Sequence, residues 1–192
     1  MNIIIAGMTC SGKTTLSNMI REEFRETSIV REDYYMKDLK DIPHMRQYYL
    51  MDLPSAYHLD EFKSDVDRLL DEGKTSYPNY DVRKNKRIDK NGFIETSKFN
   101  VFEGLHTIDT LKSKYGSIKI FMDIPSDICL KRRIERDTSL YGAKKEDVEK
   151  YFNEVIMNVY KTHIKDQIND ADVVIKEEGD IKCLLKKLRT FY

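Results

Sequence analysis

Short apolar runs alternate with amphipathic stretches along the chain. Residues 2–6 (Asn-Ile-Ile-Ile-Ala) have strand character, and behind them Leu16, Met19, Ile20 and Phe24 recur at helical spacing. Residues 27–31, 99–102, 118–124 and 171–175 are four further predicted strands. Between them, residues 58–72 place Leu59, Phe62, Val66, Leu69 and Leu70 on one helical face, and Gly73 stops that helix. A short helix around Leu111 ends near Gly116. Pro125 opens another that carries Leu130 and Ile134, since proline at a first turn costs no hydrogen bond. After a break at Gly142, a long helix to about residue 167 buries Val148, Tyr151, Phe152, Val155 and Val159. Residues 181–188 form the last helix. Nearly continuous apolar strands alternating with helices predict an α/β fold: a five-stranded parallel sheet covered on both faces, in three layers. Two stretches fall outside the alternation. Residues 36–57, with Pro43 and Pro54, read mostly as loop. Residues 75–97, rich in Tyr, Lys and Arg with a turn signal at Asn91-Gly92, read as a small hairpin or flap.

The strand ends carry the first chemistry. Gly7-Met8-Thr9-Cys10-Ser11-Gly12-Lys13-Thr14-Thr15 fits the phosphate-binding pattern G-x-x-x-x-G-K-[ST], and the predicted strand before it and helix behind it supply the context the pattern needs. Strand, glycine-bounded loop and helix turn successive backbone N–H groups toward a phosphate at the helix N-terminus. Lys13 can reach the β- and γ-phosphates and the Thr14 hydroxyl can hold Mg²⁺, so the chain is expected to bind a nucleoside triphosphate.

Composition narrows what such a loop serves. The 192 residues suit one domain spanning 1–192, and 33 basic residues balance 33 acidic ones, which argues against a nucleic-acid partner. No apolar run approaches the roughly 18 residues of a membrane span, and no basic region precedes the first apolar stretch as in a signal peptide. Cys10, Cys129 and Cys183 are widely spaced and odd in number, reading as reduced thiols of a cytoplasmic enzyme. The four histidines lack metal-ligand spacing.

Phosphoryl transfer requires positioning, charge neutralisation and a group to accept the acceptor's proton. Glu32 and Asp33, at the end of the second strand, offer the base. Glu103 follows an apolar strand, where an acid would hold Mg²⁺. Arg132, Arg133 and Arg136 precede the Gly142 break, placed to close over a transferring phosphate.

The ordered set of motifs resembles the uridine kinase-like branch of P-loop kinases, which includes uridine–cytidine kinases, phosphoribulokinases and nicotinamide riboside kinases. The resemblance runs from the Gly7–Thr15 loop through Glu32-Asp-Tyr-Tyr35, Met51-Asp-Leu-Pro-Ser-Ala-Tyr57 and Pro78-Asn-Tyr-Asp81. It continues through Val101-Phe-Glu-Gly104, Arg132-Arg-Ile-Glu-Arg-Asp137 and Ala171-Asp-Val-Val-Ile175. It implies a P-loop NTPase fold with a substrate-side flap (residues 74–97) and a lid (137–146). It also implies a base in the Asp-x-[Phe/Tyr]-Tyr element, with Tyr35 of that element on the substrate side. Asp52 would hold ribose hydroxyls, Tyr80 would line the base pocket, and Arg133 and Arg136 would contact phosphate. Aligning the Tyr-Tyr pair puts Glu32 on the catalytic position, whereas a one-residue shift to Met36 puts Asp33 there. Asn85 stands where uridine–cytidine kinases carry a base-reading histidine, and Tyr141 and Ala143 stand where they carry lid arginines. Family members often associate as homo-oligomers.

The expectation is a Mg²⁺- and ATP-dependent kinase acting on a small-molecule hydroxyl, foremost a nucleoside 5′-hydroxyl. Kinases for nicotinamide riboside, pantothenate or a sugar phosphate, and a non-catalytic nucleotide-binding module, are the alternatives. A GTPase-like switch is disfavoured, because Asn85-Lys-Arg-Ile-Asp89 is one residue too long for Asn-Lys-x-Asp.

Overall fold

The computed structural model describes residues 1–82, 84–112 and 116–191, apart from the side chains of residues 90 and 91. Its strands are β1 (Asn2–Gly7), β2 (Thr27–Arg31), β3 (His44–Met45), β4 (Tyr48–Tyr49), β5 (Lys74–Asp81), β6 (Lys86–Glu95), β7 (Phe99–Glu103), β8 (Ser117–Met122) and β9 (Val173–Ile175). The helices are α1 (Lys13–Glu23), α2 (Leu59–Glu72), α3 (Thr107–Leu111), α4 (Ser126–Tyr141), α5 (Lys145–Tyr151), α6 (Met157–Val159) and α7 (Glu178–Leu188).

Five strands form one parallel sheet in the order β2-β7-β1-β8-β9. Strand periodicity sends alternate residues to opposite faces, and both faces are buried. Ile3, Ile5, Val101, Ile120 and Met122 pack under α1 (Leu16, Ile20) and α7 (Leu184, Leu188). Ile4, Ala6, Phe102 and Phe121 pack under α2 (Phe62, Val66, Leu69), Ile108 of α3, and Val155, Val159 and Ile164. The result is the predicted three-layer α/β sandwich.

Several local expectations change. The Asn91-Gly92 turn does not exist: both residues lie inside β6, and the β5–β6 connection falls between residues 81 and 86. Gly92 is opposite Tyr77, and a Cβ on it would sit 2.5 Å from the Tyr77 ring, so this glycine serves packing rather than turning. Helix α4 runs to Tyr141 before Gly142 ends it, so residues 137–141 of the lid expected over 137–146 are helical. The long helix that follows is interrupted by π turns at Phe152–Ile156 and Tyr160–Ile164, then tightens to a 3-10 segment over Lys165–Asp170. Residues 36–57, expected mostly as loop, contain 3-10 turns and the small β3–β4 pair. Part of the region expected between Leu111 and Gly116 lies outside the described residues. No helix among the described residues is long and apolar enough to cross a membrane.

Candidate active site

The ends of β1, β2 and β7 open onto a cleft of about 1650 Å³. Strand β1 delivers the chain to Gly7 at φ 148°, where a Cβ would lie 2.7 Å from the Met122 carbonyl oxygen of β8. Only glycine allows that approach. The loop then turns back, the Ser11 N–H donating to the Met8 carbonyl at 3.1 Å, and α1 begins at Lys13. The Lys13 ammonium donates to the carbonyls of Gly7 (3.0 Å) and Met8 (2.9 Å), curling over the loop. Thr9, Cys10, Ser11, Gly12, Thr14 and Thr15 line the cleft with Lys13. Gly7 and Met8 do not; the Met8 side chain is buried against Cys129, Phe152 and Ile156. A loop of amides ahead of the positive end of α1, with a lysine beside it, is an anion site.

Glu103, the last residue of β7, stands beside Ile5 of β1 and Arg31 of β2. Its Oε1 accepts the Thr14 hydroxyl at 2.8 Å and Arg31 Nε at 3.1 Å. Burial, and then the Asp33 charge, push its carboxyl above the usual range. Thr14 and Glu103 are hard oxygen donors next to the phosphate loop, and they fit Mg²⁺, which takes one or two protein oxygens and completes its shell with phosphate and water. Among the described residues no cluster of three or more metal-binding side chains exists, and a site completed by phosphate needs none.

The two candidate bases part company. Asp33 is exposed and lines the cleft. Glu32 is fully buried on the other side of the same 3-10 turn, where its carboxyl oxygens accept the N–H groups of Leu105 (3.1 Å) and His106 (3.1 and 3.2 Å). A Cβ on Gly104 would lie 2.3 Å from Glu32 Cβ, so that glycine exists to let Glu32 in. Burial, reinforced by Asp33, lifts the Glu32 carboxyl to about 8, so it is mostly protonated at neutral pH.

Asp52 arrives from the stretch before α2 and lines the cleft, although it is buried. Its Oδ2 has no hydrogen-bond partner, and Arg133 Nη1 stands 3.9 Å away. Burial raises its carboxyl, with Arg133 opposing. The Asp52 backbone is held from behind: its carbonyl lies 2.9 Å from Nε2 of His106, a buried imidazole driven down to about 4 by desolvation and therefore neutral. Arg133 donates to Thr9 Oγ1 at 2.8 Å and to Asp137 at 3.1 Å, tying α4 to the loop. Arg136 also lines the cleft and pairs with Asp137 at 2.8 Å, while Arg132 Nη1 reaches the Cys10 and Ser11 carbonyls at 3.4 Å. Tyr80, Asn85 and Tyr141 line the cleft too, and the Tyr80 hydroxyl is buried without a hydrogen-bond partner. Ala143 is not among the lining residues.

Tyr35 corrects an expectation. It is completely buried, its hydroxyl donates to Asp65 at 3.1 Å and its ring meets Phe62 edge-on. It is a core residue, and its neighbour Tyr34 is the one that lines the cleft. Arg31, Tyr34, Tyr57, His106 and Asp137 are site residues the motif reading did not single out. Tyr57 and Asp137 end two of the quoted motif stretches, which was a usable signal. Arg31 and His106 are placed by strand order and by a contact across 54 residues, neither of which is local.

A phosphate loop between β1 and α1, an acid on the adjacent strand and arginines from α4 over the loop define a P-loop kinase. A solved structure of a possible uridine kinase from Bacillus stearothermophilus shares the fold, with a TM-score of 0.62 at 17% identity over 92% of this chain and 88% of that one. The Phosphoribulokinase / Uridine kinase family model matches residues 2–183, and the chain belongs to that family. Among its relatives, the uridine kinase of Ureaplasma urealyticum serovar 10 is 28% identical over 90% of this chain and 86% of its own length. Uridine kinase-like protein 5 of Arabidopsis thaliana is 25% identical over 97% of this chain, which spans 42% of that longer protein.

Proposed function

We propose that the protein transfers the γ-phosphoryl group of ATP, with Mg²⁺, to a small-molecule hydroxyl, foremost the 5′-hydroxyl of a nucleoside. The observation that carries this is the pairing, across one cleft, of Asp33 and the Asp52 Oδ2, which has no hydrogen-bond partner, with the Lys13 loop. Lys13 and the loop amides take the phosphates of the donor. Mg²⁺ held by Thr14 and Glu103 would neutralise charge between the phosphates. Asp33 accepts the proton of the attacking hydroxyl as its oxygen bonds to phosphorus and the bond to the leaving ADP breaks. A buried carboxylate with an unused oxygen suits a neutral acceptor bearing vicinal hydroxyls, because the hydroxyls supply the missing donors. Tyr80 offers a second polar contact from the β5–β6 hairpin, which acts as the flap. Arg133 and Arg136 act at the phosphate side, with residues 137–146 as the lid.

The test is acceptor-dependent ADP release across nucleosides, nicotinamide riboside, pantothenate and sugar phosphates. Turnover with a nucleoside and not its 2′-deoxy analogue supports the reading. ATP binding with no turnover across the panel refutes it in favour of a non-catalytic nucleotide-binding module.

A further inference from the structure

Arg31 lines the cleft and has no part in the phosphate contacts proposed above. It is the last residue of β2, directly beside Glu103 in the sheet register. Its guanidinium reaches three elements. Nε donates to Glu103 Oε1 at 3.1 Å, Nη1 to the Tyr34 hydroxyl at 3.2 Å, and Nη2 to Asn18 Oδ1 at 3.2 Å. Asn18 lies one helical turn beyond Thr14, on the same face of α1. Tyr34 adjoins Asp33 and stacks on Tyr77 of the hairpin, ring centroids 5.4 Å apart at 17°. The fork geometry of a guanidinium makes this three-way connection possible, and a lysine ammonium would not reproduce it. The Glu103 oxygen that Arg31 engages is the one that also accepts from Thr14, so a positive charge already stands at the carboxylate that would serve Mg²⁺.

We infer that Arg31 is a built-in counter-cation of Glu103: it weakens the site for divalent metal and thereby sets the metal requirement of the enzyme. The inference rests on the reading of Thr14 and Glu103 as the metal side of a nucleotide site. A fixed positive charge within a few ångströms of a bound cation opposes it, and partial burial of the pair limits screening by solvent. Arg31 has a 26% exposed side chain and Glu103 a 5% exposed one.

The experiment measures Mn²⁺ binding to the 192-residue chain in its ADP complex, by the loss of the free Mn²⁺ electron paramagnetic resonance signal. Arg31→Gln removes the charge and should tighten Mn²⁺ about fivefold or more. Arg31→Lys keeps the charge, so its Mn²⁺ affinity should stay near wild type even as the contacts to Tyr34 and Asn18 are lost. Equal affinities for wild type and Arg31→Gln overturn the inference, as does Arg31→Lys behaving like Arg31→Gln. Arg31→Met serves as the neutral variant if Arg31→Gln does not fold. Failure of the kinase reading shows elsewhere, as absent acceptor-dependent ADP release. If neither wild type nor Arg31→Gln binds Mn²⁺ beside ADP, the inference is overturned, while ADP release decides the kinase reading separately.

Discussion

Replacing Glu32 by Gln tests two statements at once: that Glu32 is held protonated behind the cleft, and that Asp33 is the base. The folded protein holds the Glu32 proton up to about pH 8, whereas the unfolded chain releases it near 4.5. Below 4.5 the group is neutral in both states and costs nothing. As pH rises through the interval, the unfolded chain gains the favourable ionisation that the fold denies, so stability falls by about 1.4 kcal/mol per pH unit. The accumulated loss is about 3 kcal/mol at pH 7 and between about 4 and 5 kcal/mol at pH 9. Gln keeps the volume and one oxygen for the Leu105 and His106 amides and cannot ionise. Chemical denaturation of both proteins between pH 5.5 and 7.5 should therefore give diverging stabilities, the wild type losing about 1.4 kcal/mol per unit relative to the variant. At pH 7 the variant should be about 1–3 kcal/mol more stable. Its acceptor-dependent turnover should remain within about tenfold of wild type. Parallel pH profiles would mean that Glu32 ionises inside the fold, refuting the argument from burial. Loss of turnover in Glu32→Gln with full nucleotide binding would move the base from Asp33 to Glu32.

Three further outcomes follow from the same geometry. Asp33→Asn should lower kcat by about 10² or more while nucleotide titrations remain unchanged, because the carboxamide cannot take the hydroxyl proton. Asp52→Asn should reduce the preference for a ribose over a 2′-deoxyribose acceptor from about 10² to below about tenfold, read as the ratio of kcat/KM values, since the Oδ2 without a hydrogen-bond partner is what the vicinal hydroxyls are proposed to satisfy. Gly104→Ala should be the most damaging small change, its methyl falling 2.3 Å from Glu32 Cβ. A loss of about 3 kcal/mol or more, seen as a Tm lower by roughly 6–12 °C, is expected, and an unchanged Tm would contradict the close packing there.

How far the sequence alone carries is visible in the turn after β2. The sheet was legible because its signal is local: apolar parity such as Ile3 and Ile5 against Ile4 and Ala6 survives any arrangement of strands. Strand order is not local, so nothing in the chain revealed that Arg31 of β2 would lie beside Glu103 of β7. The Asn91-Gly92 signal misled for the opposite reason: a strong local turn preference yielded to the Tyr77 ring that needs the space over Gly92. Residues 32–35 combine both difficulties. Motif matching treats Glu32, Asp33, Tyr34 and Tyr35 as one functional block, yet they form a 3-10 turn. Successive side chains on such a turn diverge by about 120°, and those three apart eclipse. Glu32 and Tyr35, three apart, both point into the core and are fully buried, while Asp33 and Tyr34 between them line the cleft. One buried acid and one buried tyrosine therefore support the turn, and one cleft acid and one cleft tyrosine are offered to chemistry. The ambiguity over the base is a question of which face of that turn each residue occupies. The close approach of Gly104 to Glu32 is why Asp33 is the base proposed here: Glu32 is wedged between that glycine and two amides, turned away from the cleft.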